Sequence, residues 1–330
     1  MQLKLINRLC GASFFAVAAF GSLASLPAHA APFSSVVIFG DSLSDSGNNR
    51  IAGLFNPAQV ITGNTYIPSF TYASGVYSNG PTWATQFTAS LGLSAIPSLA
   101  GGTNYAFGGA VTSGAGFPYS LTTQVGQFLG AHPAAPSDAL YVIEGGGNNL
   151  RAAATALSAP GLSFAQQISI ISDNASRFAT DIGNMVDSLQ AAGAQNIIVW
   201  NAPNFSGTPF AGATGTQDLS ALLGSTMNSA LAYRLNSEVG VKTFDVFGLI
   251  GTIAANPGAY GLSNISDACG AAINNCDPAT ALFWDGIHPS TKGHQLIAGA
   301  MMAAAVPEPS TYLLFAFGLA GLAAWQRRRV

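Results

Sequence analysis

Phe39-Gly40-Asp41-Ser42-Leu43-Ser44-Asp45-Ser46-Gly47-Asn48 is the stretch whose reading decides the fold. It continues an apolar, β-rich run, Val36-Val37-Ile38-Phe39, and then turns abruptly polar and glycine-bearing. A strand that ends in a small-residue turn presents the next side chain at the carboxyl edge of a sheet, where open α/β sheets place their ligands. Ser42 stands at that position as a candidate nucleophile. Alone it reads equally well as a polar turn or helix cap. It gains meaning only if the chain supplies a base, an orienting acid and donors for an oxyanion.

Working outward, strand and helix signals alternate. Pro81 suits the first turn of a helix, with Trp83, Phe87 and Leu91 at four-residue spacing, and Gly92 ends it. Residues 121–130 read as helical. Ala139-Leu140-Tyr141-Val142-Ile143 reads as a buried strand leading into Glu144-Gly145-Gly146-Gly147-Asn148-Asn149, a second switch from strand to glycine-rich turn. Ser163 to Ala192 carries Ile168, Ile171, Ala175, Phe178, Ile182, Met185, Val186 and Leu189 at helical spacing. Asn196–Trp200 is the next strand, residues 206–217 read as a Gly/Thr-rich loop, Leu219–Glu238 as a helix, and Val241–Phe244 as a strand. This alternation predicts a parallel sheet covered by helices on both faces, with no repeat and no second domain.

Three further stretches carry chemistry. Gly101 to Ala110 holds paired glycines that let backbone approach a ligand and aim N–H groups at it, or that simply serve a tight turn. Asn148 offers a neutral amide just past a strand end. Phe283-Trp284-Asp285-Gly286-Ile287-His288-Pro289-Ser290 places a carboxylate and an imidazole three residues apart, close enough in a compact turn for Asp285 to reach Nδ1 of His288 and leave Nε2 as a base. Ser290 and Thr291 can cap a last helix carrying Leu296, Ile297, Ala300 and Met301.

The ends read as addresses. Lys4 and Arg8 precede the apolar stretch Phe14–Leu26, and Ala28-His29-Ala30 offers a cleavage site, the pattern of a secretory signal peptide over residues 1–30. Val306-Pro307-Glu308-Pro309, an apolar run from Tyr312 to Trp325 and Arg327-Arg328-Arg329 close the chain. The run is short for a transmembrane helix, and the arginines would keep its C-terminus cytoplasmic. This order of parts over residues 306–330 resembles the PEP-CTERM sorting tail of Gram-negative bacteria. The resemblance implies processing by an exosortase after a signal peptidase, transient attachment at the inner membrane, and an extracellular or cell-surface destination. A plain membrane anchor is the alternative.

Between these ends, residues 31–305 form one expected domain. It carries six basic and thirteen acidic residues, a formal net charge of −7. That balance excludes a nucleic-acid partner, which needs clustered Lys and Arg. Cys269 and Cys276 lie in an Asn/Gly/Asp-rich loop of an exported chain and are read as a disulfide; no ligand spacing points to a metal, and no feature calls for a cofactor.

A serine at the first strand end, a double glycine, Gly-x-Asn at the next strand end and a late Asp-x-x-His, in that order, resemble the GDSL lipase/esterase family of SGNH hydrolases. The likeness runs from about Val36 to Ala300 and includes Ser78-Asn79-Gly80, Asn104 to Ala110 and Asn256-Pro257. It implies a three-layer α/β/α (flavodoxin-like) fold with a central parallel sheet, and a serine ester hydrolase working through an acyl-enzyme. It further implies Ser42 as nucleophile, His288 as base, Asp285 as its orienting acid, and the Ser42 N–H, Gly109 N–H and Asn148 amide as oxyanion hole. Gly108 is the adjacent alternative to Gly109. Two positions depart from the pattern. Asn149 stands where the family has aspartate, which leaves open how firmly the Asn148 loop is held, and Glu144 stands where an aromatic residue is usual. The expected substrates are acyl esters or lysolipids, with Phe55, Tyr66, Phe70, Tyr72 and Tyr77 as walls of an acyl groove or as core. An O-acetylated exopolysaccharide is the alternative substrate, and a non-catalytic matrix or adhesion protein is the rival reading.

Overall fold

The computed structural model describes residues 32–53, 60–65, 72–306 and Gln326. The expected signal peptide, the sorting tail beyond Val306 apart from Gln326, and Phe55, Tyr66 and Phe70 lie outside these residues. Among the described residues, no helix is long and apolar enough to cross a membrane.

The order of elements is β1 (Val36–Phe39), α1 (Asn48–Ile51), α2 (Trp83–Ser90), α3 (Leu121–Ala131), β2 (Leu140–Ile143), α4 (Gly147–Leu157), α5 (Phe164–Ala191), β3 (Asn196–Trp200), α6 (Pro209–Thr214), α7 (Gln217–Leu235), β4 (Val241–Phe244), α8 (Val246–Ala255), β5 (Asn264–Ala268), β6 (Ala281–Phe283) and α9 (Thr291–Ala305). β1 to β4 form one parallel sheet in the order β1-β2-β3-β4, with Phe39 opposite Ile143 and Ile143 opposite Val199. On the free edge of β1, Ile38 bonds to Thr103 and Tyr105 and bridges Asn104. That short segment therefore takes the place of a second strand, giving the 2-1-3-4-5 order of doubly wound sheets.

Both faces of β1, β2 and β3 are dry, and for this reason these strands read as near-continuous apolar runs, whereas the edge strand β4 leaves Lys242 and Thr243 exposed. Val37, Phe39, Tyr141, Ile143, Ile197 and Val199 pack under α3, α4, α5 and α7. Val36, Ile38, Leu140, Val142, Ile198 and Trp200 face α2, α8 and α9. The expected three layers are present.

Two expectations need correction. Residues 206–217 are not an irregular loop: Thr208 caps α6 by accepting the Ala211 N–H, and Pro209 opens the helix. Pro at the first helical position loses no bond that the helix could make. In α5 the fully buried residues begin at Ala175, with Ile170 and Ile171 partly buried against the same core. Ile168 is 49% exposed, because the first turns of this helix, capped by Ser163 and Gln166, run past the sheet. β5 and β6 make a small separate parallel pair, and Cys269 and Cys276 are disulfide-bonded in the loop between them, Cα atoms 5.4 Å apart. Among the described residues, no group of three or more His, Cys, Asp or Glu side chains could hold a metal ion.

Candidate active site

Ser42 lies three residues past the end of β1, in the turn before α1. That turn is held by its own acid: Asp45 accepts the N–H groups of Gly47, Asn48 and Asn49 and, across the loop, of Gly108. Asn48 Nδ2 donates to the carbonyls of Asn104 and Ala106, and Asn104 Nδ2 donates back to Ser44 O. The Ser42 turn and the glycine segment are thus a single hydrogen-bonded unit. Asp41 and Asp45 shape that unit and stand outside the His288 chain.

The Ser42 hydroxyl lies 2.8 Å from Nε2 of His288, and Nδ1 of His288 lies 2.6 Å from Oδ2 of Asp285. Asp285 is fully buried and saturated with donors. Oδ1 accepts the N–H groups of Ile287 and His288, and Oδ2 also accepts the Tyr72 hydroxyl at 2.5 Å. Burial alone would raise its pKa; the facing His288 and these donors outweigh that, and the carboxyl ends below its ordinary value. Ser78 Oγ donates to Pro289 O and Asn79 Oδ1 accepts the Thr291 N–H, tying the His288 turn to the start of α2.

Tyr72 and Tyr77 are not walls of a groove. Tyr72 holds Asp285, and the Tyr77 ring packs 5.3 Å from the imidazole of His288 while its hydroxyl accepts from Asn49. The cleft that opens beside Ser42 and His288 is walled instead by Leu43, Phe205, Val246, Ile250, Phe283, Ile287 and Ile297. Leu43 and Ile287 come from the turns that carry Ser42 and His288, and the others from α8, α9, β6 and the turn before α6.

At the end of β2, Gly146 takes φ +101°, and a Cβ there would sit 2.6 Å from the Phe178 ring. This glycine lets α4 start close against the core and lifts Asn148 to the cleft. Asn148 Nδ2 donates to Ala110 O at 2.9 Å and to Asp41 Oδ2 at 3.3 Å, while its Oδ1 accepts from Arg151. The substituted Asn149 is firmly placed: its Oδ1 accepts the Thr112 N–H, its Nδ2 donates to Thr112 Oγ1, and that hydroxyl donates to Asp181. A carboxylate is still present, moved one step outward. Of the two glycines, Gly108 spends its N–H on Asp45. The N–H groups of Gly109, at φ +88°, and of Ser42 have no hydrogen-bond partner among the described residues.

A serine, an imidazole and a buried carboxylate bonded in series at the carboxyl edge of a parallel sheet make the arrangement that serine hydrolases use. The chain belongs to the GDSL-like lipase/acylhydrolase family, whose sequence profile matches residues 36–301. A PEP-CTERM protein-sorting motif matches residues 305–329. Esterase EstA of Pseudomonas aeruginosa is 29% identical over 327 residues, covering 84% of this chain and 48% of that protein. The phosphatidylcholine-sterol acyltransferase of Aeromonas hydrophila is 26% identical over 246 residues, 72% of this chain and 65% of that protein. The chain spans about half the length of the first of these relatives. Among solved structures, the lipase Lip_vut3 from a goat rumen metagenome aligns with a TM-score of 0.45 at 14% identity, over 82% of this chain and 96% of that one.

Proposed function

We propose that the protein is an exported carboxylic-ester hydrolase in which residues 31–305 form the catalytic domain, with residues 1–30 a signal peptide and 306–330 the sorting tail. Ser42 Oγ attacks the ester carbonyl as His288 Nε2 takes its proton, and Asp285 holds the imidazole in the required tautomer and steadies the imidazolium. His288 then protonates the leaving alkoxide as the ester C–O bond breaks. Water repeats the sequence on the acyl-enzyme and frees Ser42. The oxyanion is received by the N–H groups of Ser42 and Gly109 and by Asn148 Nδ2, whose 3.3 Å contact to Asp41 is the weaker of its two bonds and the one a carbonyl oxygen replaces.

The observation that carries this reading is the 2.8 Å and 2.6 Å chain from Ser42 through His288 to Asp285 at the mouth of an apolar cleft. The cleft wall favours an acyl chain over a sugar, since it offers aliphatic and aromatic surface and few polar groups. Turnover of acyl esters of graded chain length, compared with deacetylation of an O-acetylated polysaccharide, tests it. Faster cleavage of esters with acyl groups beyond acetyl supports the acyl reading. Release of acetate from the polysaccharide with no turnover of longer esters would replace it with deacetylation.

A further inference from the structure

Glu144 is a carboxyl that the proposed mechanism does not use, buried immediately behind the nucleophile turn. It follows the last residue of β2, is 1% exposed, and reaches under the first strand end. Its Oε2 accepts the Asp41 N–H at 3.1 Å and the Ser44 hydroxyl at 2.8 Å, and Ser44 Oγ in turn accepts the Trp83 indole N–H. The fit is close enough that a Cβ on Gly40 would lie 2.6 Å from Oε2. Its other oxygen, Oε1, is buried and has no partner among the described residues. An ionised carboxylate leaves such a group poorly compensated, because a buried charge needs donors on both oxygens.

The nearest acid is Asp41, whose Oδ2 lies 3.3 Å from the amide of Asn148 and so faces the space assigned to the oxyanion. We propose that Asp41 and Glu144 hold one proton between them, carried by Glu144, and that this proton keeps a second negative charge away from the oxyanion, making Glu144 a positioning residue for Ser42 and Asn148. The inference rests on the proposed function of this site. Burial raises both groups, Glu144 well above the ordinary range because the Asp41 charge adds to its desolvation. Two carboxyls that interact in a dry site lose their protons in separate steps that belong to the pair.

The other charged groups around the pair agree with one retained proton. His288, in the turn before α9, and Arg151, on α4, act on Asp41 and favour its ionised form. Asp45, in the same turn, is directed away toward its four N–H donors. His294, on α9, is held neutral by burial. Asp41 is therefore the member with a fixed cation, Arg151, acting on it, and Glu144 the member without. Raising the pH until Glu144 ionises would place its charge against Asp41, the partner of Asn148, beside a transition state that is itself negative.

The experiment joins infrared spectroscopy of the intact protein with kcat/KM against pH for native enzyme, Glu144→Gln and Glu144→Ala. At mildly alkaline pH the native protein should show a protonated-carboxyl C=O stretch that is absent from Glu144→Gln. The native kcat/KM should fall on the alkaline side, and Glu144→Gln, which keeps an acceptor for Asp41 N–H and Ser44, should restore most of the rate lost in Glu144→Ala and lack that alkaline fall. No protonated-carboxyl band, a band unchanged in Glu144→Gln, or an alkaline fall unchanged in Glu144→Gln would overturn the proposal. The infrared readout needs no turnover, so it separates failure of the shared proton from failure of the esterase reading.

Discussion

Replacing Asp285 by Asn tests the proton path with little change in shape. In the native site Oδ1 accepts two backbone N–H groups, from Ile287 and His288, and Oδ2 accepts Nδ1 of His288 and the Tyr72 hydroxyl. An Asn side chain must put its NH2 at one of these places. At the Oδ1 position it would meet two N–H donors at 2.7 and 2.6 Å, so it goes to the Oδ2 position. There the NH2 faces Nδ1, which must become an acceptor, and the proton moves to Nε2. Nε2–H then points at Ser42 Oγ, 2.8 Å away, and cannot take its proton. The wrong tautomer costs on the order of 10⁴ in kcat in serine hydrolases, about 5 kcal/mol of transition-state stabilisation. Steady-state hydrolysis of a chromogenic short-chain ester, with circular dichroism to confirm folding, measures it. A folded Asp285→Asn enzyme within tenfold of native kcat would refute the roles assigned to Asp285 and His288.

Tyr72→Phe removes one of the four donors to Asp285 while leaving the ring; we expect a loss of about 2 kcal/mol in stability, the worth of a hydrogen bond to a charged group, and a fall in kcat of roughly tenfold, about 1.4 kcal/mol. Arg151→Met takes the donor from Asn148 Oδ1 and lets the amide turn; kcat should fall by about tenfold with KM little changed, and an unchanged kcat would show that Arg151 does not orient Asn148. His294 is buried with neither ring nitrogen partnered among the described residues, and its pKa is lowered from 6.5 to about 3 by burial and by His288. The folded state disfavours its protonation, so stability is full above about pH 6.5 and lost as pH falls toward about 3. Urea titrations should show the native protein losing about 2 kcal/mol more than His294→Leu between pH 7 and pH 5, at about 1.4 kcal/mol per unit. Parallel losses in the two proteins would contradict this.

The nucleophile turn was legible because two signals coincide there, a fully apolar strand and a Gly-Asp-Ser switch, and each acid near Ser42 has local N–H donors that the spacing already suggests. Asp285 and His288 were legible for the same reason, since their bond closes within three residues. What could not be read depends on long-range contacts. Spacing from Asn104 favours Gly109 over the adjacent Gly108 without deciding between them, and the reach of Asp45 across the loop takes Gly108 out of competition. Tyr72 and Tyr77 look like groove aromatics until Tyr72 is seen bonded to a carboxylate 213 positions away. The cleft wall draws on α8 and α9; for α9 the sequence offers only the apolar positions of a capped helix, and α8 has no element assigned from sequence. The helix α6 was hidden by its Gly/Thr composition, and its start depends on one Thr cap and one Pro. Glu144 appeared only as a departure from a family pattern, whereas the fold shows it braced against Asp41 and Ser44.

The central claim is that Ser42 is an activated nucleophile. Treating the purified protein with a fluorophosphonate and locating the adduct by peptide mass spectrometry tests it most directly. The account predicts a single adduct on Ser42, absent in Ser42→Ala and formed far more slowly in His288→Ala. A folded native protein that stays unlabelled, or one labelled at another residue while Ser42 is untouched, would contradict it.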